Sequence, residues 1–65
     1  MSENLEAKIR ERYRSDAEFG RAIGWKRQKV HKMVHGRYEP TVVEAATISK
    51  ALGITMDRLA SFFKE

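Results

Sequence analysis

Glycines at positions 20, 24, 36 and 53 and a proline at 40 cut this 65-residue chain into short segments. Within each segment the apolar residues recur at three- and four-residue spacing, and strict alternation is absent. That spacing belongs to helices with one buried face. Short helices with tight connections cannot stack into an elongated bundle, so the chain is expected to form a compact, all-α, five-helix domain over residues 1–65.

The first helix is expected from about Glu3 to Tyr13, with Leu5, Ile9 and Tyr13 on one stripe. The second opens at a capping box in which Ser15 accepts from the amide of Glu18 and Glu18 reaches back to the amide of Ser15. It ends before Gly24, with Phe19 and Ile23 one turn apart. A second capping box, Thr41 with Glu44, opens the fourth helix just after Pro40. Its small-residue stripe is Ala45, Ile48, Ser49 and Leu52, and Gly53 stops it. The fifth starts near Thr55, with Asp57 at the positive helix end and Met56, Leu59, Ala60, Phe62 and Phe63 as its apolar residues. The expected core is Leu5, Ile9, Phe19, Ile23, Val30, Met33, Ile48, Leu52, Ile54 and Leu59.

The third helix, in GWKRQKVHKMVHG, differs from the rest. It carries four lysine or arginine residues, two histidines and no acid. At about 100° per residue, Val30, Met33 and Val34 share a buried face, while Gln28, Lys32 and His35 point the opposite way. Lys29 and His31 flank them. Gly36 is well placed to end the helix in the left-handed conformation. Trp25, just after the turn, reads as a partly buried packing residue.

Gly24 allows the sharp turn between the second and third helices, because glycine takes positive φ without a Cβ clash. Helices joined this way cross at roughly 90–120°, which needs a small residue where they approach. Gly20 supplies it. Glycine within a helix costs about 1 kcal/mol relative to alanine, and the close approach explains that choice.

The net charge is +4, from 13 basic and 9 acidic residues. Residues 21–40 hold six bases (Arg21, Lys26, Arg27, Lys29, Lys32 and Arg37) against one acid (Glu39), while the flanking thirds are close to neutral. Such a patch is the electrostatic footprint of a polyanionic partner, whereas solvated faces mix their signs. There is no cysteine, hence no disulfide framework or thiolate metal site. No apolar run approaches the ~20 residues of a membrane span, and MSENLEAKIRERY has no apolar stretch of signal-peptide type. His31 and His35 lie at i, i+4, a spacing that can hold a metal, but no carboxylate is near in sequence and the neighbours are cationic. No metal or other cofactor is expected. No nucleophile, base and orienting group are set together, so no enzymatic activity is expected. The basic helix lacks the bulky apolar face that membrane-surface binding needs.

From Asp16 to His35 the chain resembles the helix-turn-helix of the Cro and phage-repressor family, the XRE-like group of bacterial and phage regulators. That pattern has apolar residues where this chain has Phe19, Ile23, Val30 and Met33, a small residue at Gly20 and a glycine at Gly24. Downstream, HGRYEP is similar to the family's glycine, variable residues and proline. TVVEAATISKALGITMDRLASFF is similar to its fourth and fifth helices. The resemblance covers roughly residues 5–63. Two positions depart from it. Lys26 stands where the family commonly has Ser or Thr, and lysine cannot cap a helix. Asp16 stands where Gln is frequent, so a phosphate contact does not carry over to that residue.

The resemblance implies that the third helix enters the major groove of double-stranded DNA. Arg27, Gln28, Lys32 and Lys29 are the implied base readers, since Gln pairs with adenine and Arg or Lys with guanine. Lys26, His31, His35, Arg37, Tyr38 and Ser15 are the implied phosphate contacts, which position without reading sequence. A module this small buries too little DNA for a highly specific site, so a homodimer on an inverted-repeat operator is expected, with Phe62 and Phe63 as dimer candidates. The implied role is a Cro-like repressor in the cytoplasm of a bacterial or phage-infected cell, associated with the nucleoid. The alternative is an antitoxin-type or partner-binding regulator on the same fold.

Overall fold

The computed structural model describes residues 4–63. Five helices follow one another: α1 (Leu5–Arg10), α2 (Asp16–Ile23), α3 (Arg27–Val34), α4 (Val42–Leu52) and α5 (Met56–Ser61). Among the described residues there is no strand, as the spacing of the apolar residues requires.

The helix ends follow from local chemistry. Asn4 caps α1 by accepting from the Ala7 amide at 2.8 Å. The Ser15 Oγ accepts from the Glu18 amide at 3.1 Å, and the Thr55 side chain caps α5 through the Arg58 amide at 3.0 Å. At α4 the capping box is complete: Thr41 Oγ1 accepts from the Glu44 amide at 3.2 Å and Glu44 Oε1 accepts from the Thr41 amide at 3.0 Å. At α2 it is displaced by one residue. Glu18 Oε1 accepts from the amide of Arg14 at 3.2 Å, not from that of Ser15, so half of the expected box serves the connection before the helix.

Two left-handed glycines close their helices in the same way. Gly36 has φ 75°, the Arg37 amide donates to the Lys32 carbonyl at 2.7 Å, and the Gly36 amide to that of Met33 at 3.1 Å. Gly53 repeats this with Ile54 on Ser49 and Gly53 on Lys50. This is the Schellman arrangement, which satisfies carbonyls that the helix leaves unpaired.

The core consists of Leu5, Ile9, Phe19, Val30, Met33, Ile48, Leu52 and Leu59. Ile23 and Ile54 are half-buried at the rim of that core. Both stand where a helix gives way to a turn, so only one side of each is covered. The first helix is shorter than its stripe suggested. Its expected start at Glu3 lies outside the described residues, and it ends at Arg10. Tyr13 leaves the helix, sets its ring edge-on to Phe19 at 5.1 Å, and donates its hydroxyl to the Ala51 carbonyl at 3.3 Å. The Arg12 guanidinium donates to the same carbonyl at 3.2 Å. Both residues thus tie the connection before α2 to the C-terminal end of α4, where a cation is favoured by the helix dipole.

α2 packs more extensively on α3 than any other two helices do on each other. A Cβ built on Gly20 would lie 2.6 Å from the Trp25 carbonyl oxygen, and the Gly20 carbonyl accepts from the Trp25 amide at 2.7 Å. Gly24 has φ 81°. The chain therefore passes from α2 into α3 against bare backbone, and that contact sets where α3 stands.

Candidate nucleic-acid interface

α3 buries Val30 and Met33 completely and presents its other face outward. Its first turn is chemically open. Lys26 occupies the cap position with extended backbone, and no side chain bonds the amides of that turn. A helix start of this kind attracts anions through free N–H groups and the helix dipole. A lysine at that point opposes the dipole, so the sequence here gives up local helix stability in favour of positive charge.

Lys26, Arg27, Gln28 and Lys32 are all exposed. Among the described residues none of the three cations has an ion pair. Lys26, Gln28 and Lys32 line one concave surface with Gly24, Trp25, Lys29 and Tyr38. Arg37 is exposed just beyond Gly36 and extends the positive surface past the end of α3.

Lys29 stands apart from these. Its Nζ lies 2.7 Å from Glu44 Oε2 on α4, 4.3 Å from the centre of the Trp25 ring and 5.2 Å from that of Tyr38. Trp25 and Tyr38 meet edge to face at 5.8 Å. The Tyr38 hydroxyl donates to Glu44 Oε1 at 2.6 Å, the oxygen that also accepts from the Thr41 amide. One carboxylate thus joins α3, the loop after it and the start of α4. The bond from Lys29, with those from Tyr38 and Thr41, holds the Glu44 carboxyl at about 2, below its ordinary 4.5. The same carboxylate raises Lys29 and Tyr38 above their usual values. The ammonium expected to reach a base and the hydroxyl expected to reach a phosphate are therefore both engaged within the chain.

His31 and His35 are exposed, with their rings 4.2 Å apart. The fold brings Asp16 to His31, with Oδ2 3.7 Å from Nδ1, a carboxylate that is distant in sequence. Its other oxygen accepts from Arg10 Nη1 at 3.0 Å. Asp16 therefore links α1, α2 and α3. Among the described residues no three metal-ligating side chains cluster. Ser15 is half-buried, and its oxygen already caps α2.

Two links went unseen in the sequence. Trp25 reads chiefly as a packing residue and Glu44 as a cap, and in the structure both also hold Lys29. Trp25 precedes the Lys26 cap of α3, so no helix spacing announces its contact with Lys29.

Phe62 and Phe63 are both half-buried. Arg58 lies over the Phe62 ring at 5.9 Å. Phe63 borders a shallow apolar groove with Val42 and Met56, which are 78 % and 40 % exposed. Among the described residues no helix is long and apolar enough to cross a membrane.

A family model described as helix-turn-helix matches residues 5–59, which takes in all of α1 to α4 and most of α5. No curated protein and no solved structure matches the chain.

Proposed function

The chain belongs to the helix-turn-helix family of the XRE, phage-repressor and Cro type, and on that premise we propose that it is a small dimeric repressor whose α3 reads the major groove of a palindromic operator. The family membership makes it a DNA-binding transcription regulator that acts on double-stranded DNA. The dimer, the operator symmetry and the repressor role are our reading.

The observation that carries it is the outward face of α3. Arg27, Gln28 and Lys32 project from an element that Gly20 and Val30 seat firmly against α2, and the cations among them have no ion pair within the described residues. These three are our base readers. Lys26 and Arg37 are our principal phosphate contacts, with His31 and His35 beside them. Ser15 could assist at the start of α2 only while its oxygen keeps its cap. Lys29 and Tyr38 would have to leave Glu44 to touch DNA, and we assign them to holding α3 in place. For the dimer, Phe63 with the exposed Val42 and Met56 offers an apolar surface, and Phe62 adjoins it. In this reading the protein works in the cytoplasm.

Exposed Val42 and Val43, at 78 % and 77 %, favour a second reading: a regulator of antitoxin type that uses this surface for a protein partner. A stoichiometric partner on co-purification would distinguish it.

The test is selection of duplexes from a random pool by the purified protein, followed by a salt series on the best binder. The expected result is an inverted repeat with half-sites ~34 Å apart, bound with steeply salt-dependent affinity. Enrichment of no sequence would overturn the sequence-reading role.

A further inference from the structure

We propose that Glu44 tunes specificity: it withholds the Lys29 ammonium from the DNA backbone, so that one cation of the reading helix adds nothing to sequence-independent attraction. This rests on the DNA-binding reading above. Lys29 lines the same concavity as Gln28 and Lys32, and its side chain is 38 % exposed. An unpaired lysine there would meet phosphate, as Lys26 does in the reading above. It is held instead by a carboxylate on one side and two aromatic rings on others.

Capping alone does not account for the acid. Oε1 takes the Thr41 amide and the Tyr38 hydroxyl. A glutamine would accept both, and capping boxes take either Glu or Gln at this position. Oε2 is left for Lys29; the charge also suits the first turn of α4, but only the Lys29 bond turns it towards α3. A negative charge beside a DNA-facing helix is unfavourable for binding any duplex. Its effect is smallest when it is neutralised by a lysine of the same surface. Phosphate contacts raise affinity for all sequences alike, so removing one cation from that pool widens the margin between operator and bulk DNA.

The experiment measures binding of the full chain to a mixed-sequence 20-base-pair duplex by fluorescence anisotropy across a salt series. Wild type, Glu44→Gln, Lys29→Gln and the double variant are compared, with circular dichroism melts confirming the fold. Glu44→Gln is expected to steepen the log–log salt slope by about one and to raise affinity roughly 5–10-fold near 0.1 M salt. Lys29→Gln alone strips the Glu44 carboxylate of its partner and is expected to weaken binding to every duplex while the slope changes by well under one, and the double variant, which carries neither charge, returns to the wild-type slope. The proposal is overturned if Glu44→Gln leaves the slope as it was, if the double variant keeps the gain, or if Lys29→Gln alone lowers the slope by about one. Should Glu44→Gln fail to fold, the Lys29→Gln slope still decides. A wild-type chain that binds no duplex even at low salt overturns the DNA-binding reading itself, and this proposal with it.

Discussion

The first turns of α3 and α4 are joined by the Lys29–Glu44 ion pair and are built in opposite ways. At α4, Thr41 and Glu44 exchange hydrogen bonds, and the same carboxylate holds Tyr38 and Lys29. At α3, Lys26 caps nothing and no acid lies in the first turn. Local physics favours a capping side chain and negative charge at both places. Only α4 has them. α3 is therefore kept in place by its neighbours, through Gly20, Val30 and the Lys29–Glu44 bond, which leaves its own N-terminal end open for a ligand that carries negative charge.

The largest expected effect comes from removing that support. In Gly20→Ala the new Cβ meets the Trp25 carbonyl at 2.6 Å, and backbone on both sides cannot give way. The higher helix propensity of alanine is outweighed, and stability should fall by about 1–3 kcal/mol in denaturant unfolding. An unchanged midpoint would show that α3 does not depend on this contact.

Thr41→Ala should cost about 1 kcal/mol, by loss of the cap at α4. The effect is on stability, read as a lower melting temperature. Lys26→Ser is the mirror experiment. It installs the cap that α3 lacks, and should stabilise by about 0.5–1 kcal/mol while weakening binding to every DNA sequence and lowering the salt slope by about one. If stability and binding moved together, the contrast between the two helix starts would collapse.

The smallest effect concerns acid. With its folded value held at about 2 against an ordinary 4.5, Glu44 contributes stability that is fully present above pH about 4.5 and is lost as pH falls towards 2. Lys29 and Tyr38 are shifted upward, so their contribution is lost only on the alkaline side. Urea midpoints between pH 5 and 2 should therefore fall less steeply in Glu44→Gln than in wild type. Parallel curves would mean that the carboxylate is not held in solution.

What the sequence disclosed was local. The cap of α4 is a four-residue pattern, and the left-handed turns at Gly24, Gly36 and Gly53 follow from glycine itself. The buried face of α3 follows from the spacing of Val30 and Met33. The helix-turn-helix was legible because each of its signals lies within a turn or two of the next. The Lys29–Glu44 pair spans two helices, and the approach of Asp16 to His31 depends on how α2 seats against α3. Neither is written in any spacing. Even a local pattern misled by one residue at Glu18, where the Arg14 amide competed with that of Ser15 for one carboxylate. The exposed face of α3 could be read as a surface. Which of its lysines was already taken could not.

Whether the open face of α3 reads DNA is decided by comparing Arg27→Ala/Gln28→Ala/Lys32→Ala with Thr41→Ala, measuring melting temperature and affinity for the selected operator in each. The triple variant should melt close to wild type and lose operator binding, while Thr41→Ala should melt lower and, below its transition, bind near normally. A triple variant that keeps operator affinity, or whose loss of binding only follows unfolding, would contradict the claim that the open face of α3 reads DNA.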